Sequence, residues 1–191
     1  MAAFILNWNP SKWDIPEEEV LEAIATTTKG GEFHGQWSVG ARKGGIVRGD
    51  QAYLLRQGPN ERGLVASGYF TGEIFDDEHW DGSGRITKYG PVAWTTWVAN
   101  DDRVPTEELL YEVPGVPWNY LQASGTEVPS AEATVLADLW ASQVEAIGRG
   151  STIDAESAWD PRVLLTLETR MEHGNHRWCA AEVAEVPGRA A

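Results

Sequence analysis

The 191-residue chain has a single cysteine, Cys179, so it can form no internal disulfide and reads as a protein of a reducing compartment. It has no apolar run long enough to cross a bilayer. Its first residues lack the basic start and extended apolar core of a secretory signal, and the expectation is a soluble, cytoplasmic protein. Positive charge is also scarce: 15 Lys and Arg stand against 29 Asp and Glu, a formal charge of −14. Such a balance opposes indiscriminate binding to nucleic acid, where phosphate neutralisation supplies most of the affinity. A phosphate-binding glycine loop, a nucleophile elbow and an HExxH helix are all missing, so no assembled active site is legible and no cofactor is expected.

Two clusters contain metal-ligating residue types. His173, His176 and Cys179 in HGNHRWC follow at intervals of three and are good zinc ligands, but they lack a recognisable partner pair. A surface His pair beside a buried Cys explains them more simply; a zinc-dependent enzyme using this tail is kept as an alternative. The run Asp76 to His79 has ligands for a hard cation, and a solvated acidic loop explains it more cheaply. No metal site is assigned.

Phenylalanine is scarce and tryptophan abundant, 4 against 10. Core volume alone is filled as well by Leu or Phe, whereas each buried indole brings an N–H that needs a partner. Trp8 and Trp13 flank an Asn-Pro turn in NWNPSKWD, directly after the apolar strand Phe4 to Leu6. Trp37 and Trp80 also fall in expected loops. By contrast Trp94, Trp97 and Trp140 lie in expected elements and suit the core. Period-2 counting puts Trp94 and Trp97 on opposite faces of the strand PVAWTTWVA.

The elements follow from turn and cap signals. Asp14 and Glu17 have capping-box spacing ahead of a helix with Val20, Leu21 and Ile24 on its apolar face, closed by Gly30 and Gly31. Residues 35 to 50 read as a glycine-rich basic loop. QAYLLRQG and LVASGYFTGEIF read as hairpin-related strands around the turn NERG, with Gly68 marking a bulge or a close backbone contact. DDEHWDGSGR is an expected loop, and EELLYEV is ambiguous. Ser130 can cap a helix carrying Leu136, Leu139, Trp140, Val144 and Ile147 and ending at Gly148, followed by a tail with one further apolar run, VLLTL. Strands gather in the middle and helices at the flanks, which gives α+β with a small, mostly antiparallel sheet. Locally the charge reverses: Arg42, Lys43, Arg48, Arg56 and Arg62 face only Asp50 and Glu61 between Trp37 and Arg62.

The order FILNWNPSKW, GQWSVG, GDQAYLLRQG, RGLVASGYFTGEIFDDEHW and LQASGTEV resembles EVE-type members of the PUA-like superfamily. Those domains include the recognition modules that precede HNH nucleases in modification-dependent restriction enzymes. The order is also similar to YTH domains, in which two tryptophans clamp a methylated adenine. The resemblance spans about residues 3 to 147. It implies a β-barrel flanked by helices over residues 1–148, an extension over 149–191, and a pocket for one modified base. Trp37 and Trp80 match the clamping rings, with Trp8 or Trp13 on a third side.

On this reading Asn7 and Asn9 face the base edge, Ser124 and Gly125 line the floor, and Arg42, Lys43, Arg48 and Arg56 meet phosphates. The partner implied is modified double-stranded DNA, carrying a modified cytosine or N6-methyladenine flipped from the helix; RNA is the alternative. The paired histidines, Asn and CxxC pairs of an HNH domain are missing after Ile147, so any nuclease is expected on a partner or a fused domain, and the chain itself is not expected to be an enzyme. A protein-interaction module anchored by exposed tryptophans is the third alternative.

Overall fold

The computed structural model describes residues 1–79, 81–121 and 123–157, with side chains as far as Gly148. Residues Met1–Val144 form one compact unit, in which the described residues make eight strands. The strands are β1 (Ala3–Trp8), β2 (Phe33–Ser38), β3 (Gln51–Arg56), β4 (Gly63–Phe70), β5 (Phe75–Glu78), β6 (Ile86–Trp97), β7 (Val104–Pro105) and β8 (Thr126–Glu127). Helices α1 (Glu17–Thr28), α2 (Thr106–Glu112) and α3 (Ser130–Ser157) accompany them. The order across the sheet is β2-β6-β4-β3-β1-β8, with β5 on β6 and β7 on β4. Among the described residues only β1 and β3 run parallel. The class is therefore α+β with a mostly antiparallel sheet.

The sheet does not close into a barrel, because β2 and β8 at its two ends share no ladder. Side chains bridge the seam instead. Ser124 donates its hydroxyl to the carbonyl of Ser38 and accepts the N–H of Asn7 at 3.1 Å. Arg42 donates Nε–H to the carbonyl of Gly125 at 2.8 Å, and its Nη2 stands 3.4 Å from the Glu127 carboxylate. Gly125 has φ +80°, and a Cβ there would meet the carbonyl oxygen of Val39 at 2.6 Å. No other residue fits so close an approach.

The parallel pair β1–β3 is buried on both faces, as such pairs usually are. Phe4, Leu6, Trp8, Ala52 and Leu54 enter one apolar cluster with Val92, Trp94 and Trp97, while Ile5, Tyr53 and Leu55 are buried on the alternate positions. Asp50, from the GD pair ahead of β3, is itself buried: its carboxylate accepts the N–H groups of Ala2 and Val47, both at 2.9 Å, fixing the start of the chain against the loop before β3.

Several elements depart from the sequence expectations. Trp94 and Trp97 share a face, their rings 5.7 Å apart and near-perpendicular. The pairing of β4 with β6 explains it: Ser67 faces Thr96 and Gly68 faces Trp94, so Thr95 is an extra residue that resets the alternation. Gly68 is needed opposite this bulge, since a Cβ would fall 2.0 Å from the carbonyl oxygen of Ala93. Trp37 lies on a strand, as the first residues of the expected basic loop are taken into β2. Part of the expected loop at 76 to 85 pairs with β6 as β5.

Helix α1 begins after Pro16 with no side-chain cap, so Asp14 does not close a capping box. It buries Ala23, Ile24 and Thr27, and Leu21 faces solvent. The Thr27 hydroxyl accepts the N–H of Trp97 at 3.1 Å, which anchors α1 to the end of β6. Of EELLYEV, Glu107 to Glu112 are helical, within α2, and Val113 follows its end. Helix α3 continues through Gly148, where one glycine costs only about 1 kcal/mol relative to Ala.

Candidate nucleic-acid interface

The stretch NWNPSKWD folds back on itself at the end of β1. The Asn9 carbonyl accepts the N–H groups of Lys12 and Trp13 at 2.9 and 3.0 Å, and the Asn9 side chain accepts that of Ser11 at 3.0 Å. Asn at this place makes the turn by mimicking backbone. Trp8 then donates its indole N–H to the Trp13 carbonyl at 2.9 Å, which fixes the return of the chain. Trp8 itself is 8% exposed and has the Arg56 guanidinium 5.8 Å from its ring centre. Its structural role is to hold the turn that carries Trp13.

Trp13 is brought against Trp37 of β2, with ring centres 5.0 Å apart and planes inclined by 47°. Trp37 is 6% exposed, packs edge-on to Trp94 at 5.8 Å, and donates Nε1–H to the Asn7 carbonyl at 3.1 Å. Trp13 and Trp37 line a cavity of about 220 Å³ together with Asn7, Gln36, Ser38, Glu78 and Tyr89. This is smaller than the roughly 300–1,000 Å³ of pockets for drug-sized molecules, and suits a single small ring system. Stacking a base between two rings takes about 7 Å, twice an ordinary carbon–carbon contact. Trp13 and Trp37 as they stand form a V rather than an open slot.

Asn7 is held on three sides. Its backbone N–H meets Ser124, its carbonyl meets Trp37, and its Nδ2–H donates to the Leu121 carbonyl at 3.0 Å. The Leu121 carbonyl also accepts the Gln57 amide, so it faces only donors. The Asn7 Oδ1 atom is thereby turned away, buried, with no hydrogen-bond partner among the described residues. An unpaired buried acceptor of this kind costs about 1–3 kcal/mol unless a ligand or water supplies a donor.

A larger, open cleft of about 690 Å³ adjoins through Asn7, Trp13 and Ser38. Trp8, Asn9 and Ser124 also line it, and so do four cations: Lys12, Lys43, Arg85 and Lys88. Lys88 pairs with Asp76 at 2.7 Å, and Arg85 lies 3.8 Å from Asp81. Lys12 and Lys43 have no carboxylate within 4 Å among the described residues. At the cleft rim, hydrogen bonds from the Ser83 side chain and backbone, joined by the His79 contact, lower the Asp81 carboxyl to about 2. Its Oδ1 stands 3.0 Å from Nδ1 of His79.

The structure thus brings Asn7, Trp8, Asn9, Trp13, Trp37, Lys43 and Ser124 to one pair of cavities. Gly125, Arg42, Arg48 and Arg56 line neither. Arg42 binds the seam and stacks over Phe4 at 4.8 Å, while Arg56 is tied to Glu61 and to the carbonyls of Asn60 and Glu61. Arg48 is exposed. Trp80 lies outside the described residues, as do VLLTL and His173, His176 and Cys179. Lys12, Gln36, Ser38, Glu78 and Tyr89 enter the site without having been singled out. For Lys12 and Ser38 a signal existed, since they stand beside Trp13 and Trp37.

Among the described residues no group of three or more His, Cys, Asp or Glu side chains is placed to hold a metal ion, and no helix is long and apolar enough to cross a membrane.

No protein-family model matches the chain, and no curated protein matches it. Two solved structures are similar. One is a Pseudomonas syringae protein from a structural genomics programme, 11% identical, with a TM-score of 0.49 over 74% of this chain and 99% of that one. The other is the YTH domain of Mmi1, 13% identical, with a TM-score of 0.43 over 78% of each chain.

Proposed function

We propose that the protein is a reader of a modified base in double-stranded DNA, which takes the base out of the helix into the cavity between Asn7, Trp13 and Trp37. The observation that carries this reading is that two tryptophans and Asn7, whose buried amide oxygen has no hydrogen-bond partner among the described residues, line one small cavity. Flipped bases are held in this manner, by stacking on apolar faces and by hydrogen bonds along the base edge. Lys12 and Lys43 in the adjoining cleft supply charge for the phosphates on either side of the flipped nucleotide. The sequence resemblance to EVE-type and YTH domains supports the same reading, and matches Trp80 to the second clamping ring.

Modified cytosine and N6-methyladenine are the candidate bases. The module binds without cutting, and strand cleavage belongs to a nuclease partner or a fused domain. The test is equilibrium binding to duplexes that differ in one base, modified or unmodified, with single-stranded RNA of the same sequence as a further arm. Preference for a modified duplex supports the proposal. Equal affinity for all duplexes contradicts it, and preference for modified RNA moves the assignment to an RNA reader.

A further inference from the structure

The strand pair β5–β6 carries an apolar side chain that the core does not use. Strand β2 leaves β6 at Tyr89 and β4 leaves it at Val92, so Ile86 and Thr87 pair, among the described residues, with β5 alone. This end of the sheet is a two-stranded ribbon, and all four residues of β5 are exposed. Ile86 is 62% exposed and lies outside the apolar cluster of the core. Strand propensity is served as well by threonine, as at the next position, without setting an aliphatic side chain in water.

The register fixes where this side chain stands. Directly opposed residues of an antiparallel pair share a face, as do residues two apart on one strand. Asp76 is opposite Lys88, and their side chains meet at 2.7 Å; Ile86 is two residues from Lys88 and directly opposite Glu78. Ile86 lines the larger cleft together with Arg85 and Lys88, and among the described residues it is the one aliphatic side chain there larger than alanine. Glu78, its cross-strand neighbour, lines the smaller cavity with Trp13 and Trp37. An apolar group is thus exposed among cations, one side chain away from the cavity proposed to hold the base.

Resting on the reader assignment above, we infer that Ile86 is a wedge that enters the helix where the base leaves it. Removing one base from a duplex opens a gap between the neighbouring pairs and bares their faces to water. Apolar side chains, isoleucine among them, insert between base steps in this way. A two-stranded ribbon is narrow enough to lie in the major groove of DNA. The flipped nucleotide stays bonded to its strand, so the cavity and the gap must be neighbours, as Glu78 and Ile86 are. Trp13 and Trp37 would hold the base, while Ile86 favours the open helix without touching the base. It therefore adds affinity and reads no modification.

The experiment measures binding of the natural protein, Ile86→Ala and Ile86→Leu to oligonucleotides carrying 5-methylcytosine or, separately, N6-methyladenine. Each modified base is placed either in a regular pair or as one extra, unpaired nucleotide in an otherwise complete duplex. When the unpaired base leaves, the neighbouring pairs close on each other and no gap remains to fill. Ile86→Ala is expected to weaken binding of the paired duplex by about tenfold or more, the scale of burying an aliphatic side chain, and to leave the bulged duplex nearly unchanged. Ile86→Leu is expected to bind both as the natural protein does. An exposed side chain outside the core predicts an unchanged melting temperature for both variants. Equal losses on the paired and bulged duplexes, or no loss on either, overturn the inference and leave the reader assignment standing. If the natural protein prefers neither modified duplex to its unmodified counterpart, the reader assignment fails and the inference with it.

Discussion

The indole N–H of Trp37 is donated to the backbone carbonyl of Asn7 at 3.1 Å, which ties the ring proposed to stack a base to the amide proposed to meet its edge. Trp37 is also packed between Trp13 and Trp94. Its replacement must therefore act on stability and on binding together. Trp37→Ala is expected to cost about 3–5 kcal/mol of stability, as for a buried aromatic, and to lose the stacking term, about 1–3 kcal/mol of binding. Denaturant melts alongside duplex titrations read both.

Trp13 separates the two effects. It is half-buried, on a turn held by backbone bonds that do not involve its ring. Trp13→Ala is expected to lower affinity for a modified duplex by about 1–3 kcal/mol and to leave the melting temperature within a few degrees. A large fall in melting temperature with unchanged affinity would place Trp13 in the core instead.

The seam and the cleft predict opposite behaviour for neighbouring cations. Arg42 is committed to Gly125 and Glu127, so Arg42→Ala is expected to destabilise the fold, by about 1–3 kcal/mol for a hydrogen bond lost from a charged group. Lys12→Ala and Lys43→Ala are expected to leave stability unchanged, to weaken modified and unmodified duplexes alike, and to lower the slope of log affinity against log salt by about one each. Selective loss for modified DNA would assign these lysines to the base rather than to phosphates.

The bulge at Thr95 is tested through its partner. Gly68→Ala places a methyl against the Ala93 carbonyl and is expected to destabilise by about 1–3 kcal/mol or more. A melt within experimental error of the natural protein would show that β4 can shift without losing the alignment of Trp94 with Trp97.

The class of the fold was legible because its signals are local. The apolar run in QAYLLR, the turn NERG and the misfit Gly68 each carry their meaning in a few residues, and the structure has β3, β4 and a bulge there. The shared face of Trp94 and Trp97 was not legible, since strict alternation fails once a strand holds an extra residue, and the bulge arises from pairing with a distant strand. The site divides in the same way. NWNPSKWD and QWS stood out by composition, and their residues do line the two cavities. The roles of the arginines did not, because whether a guanidinium faces solvent or a carbonyl depends on contacts such as Arg42 with Gly125, separated by most of the domain. Glu78 lay hidden in an acidic run that looks like any solvated loop.

The central claim, that a base leaves the helix to enter this cavity, is tested most directly with 2-aminopurine placed next to the modified base in a short duplex. Stacking quenches this fluorophore, and loss of its neighbour relieves the quenching. Titration with the protein is predicted to raise the emission to a plateau that follows occupancy, with a much smaller rise for the unmodified duplex and for Trp13→Ala. Saturated binding of the modified duplex with no change in emission would contradict the account.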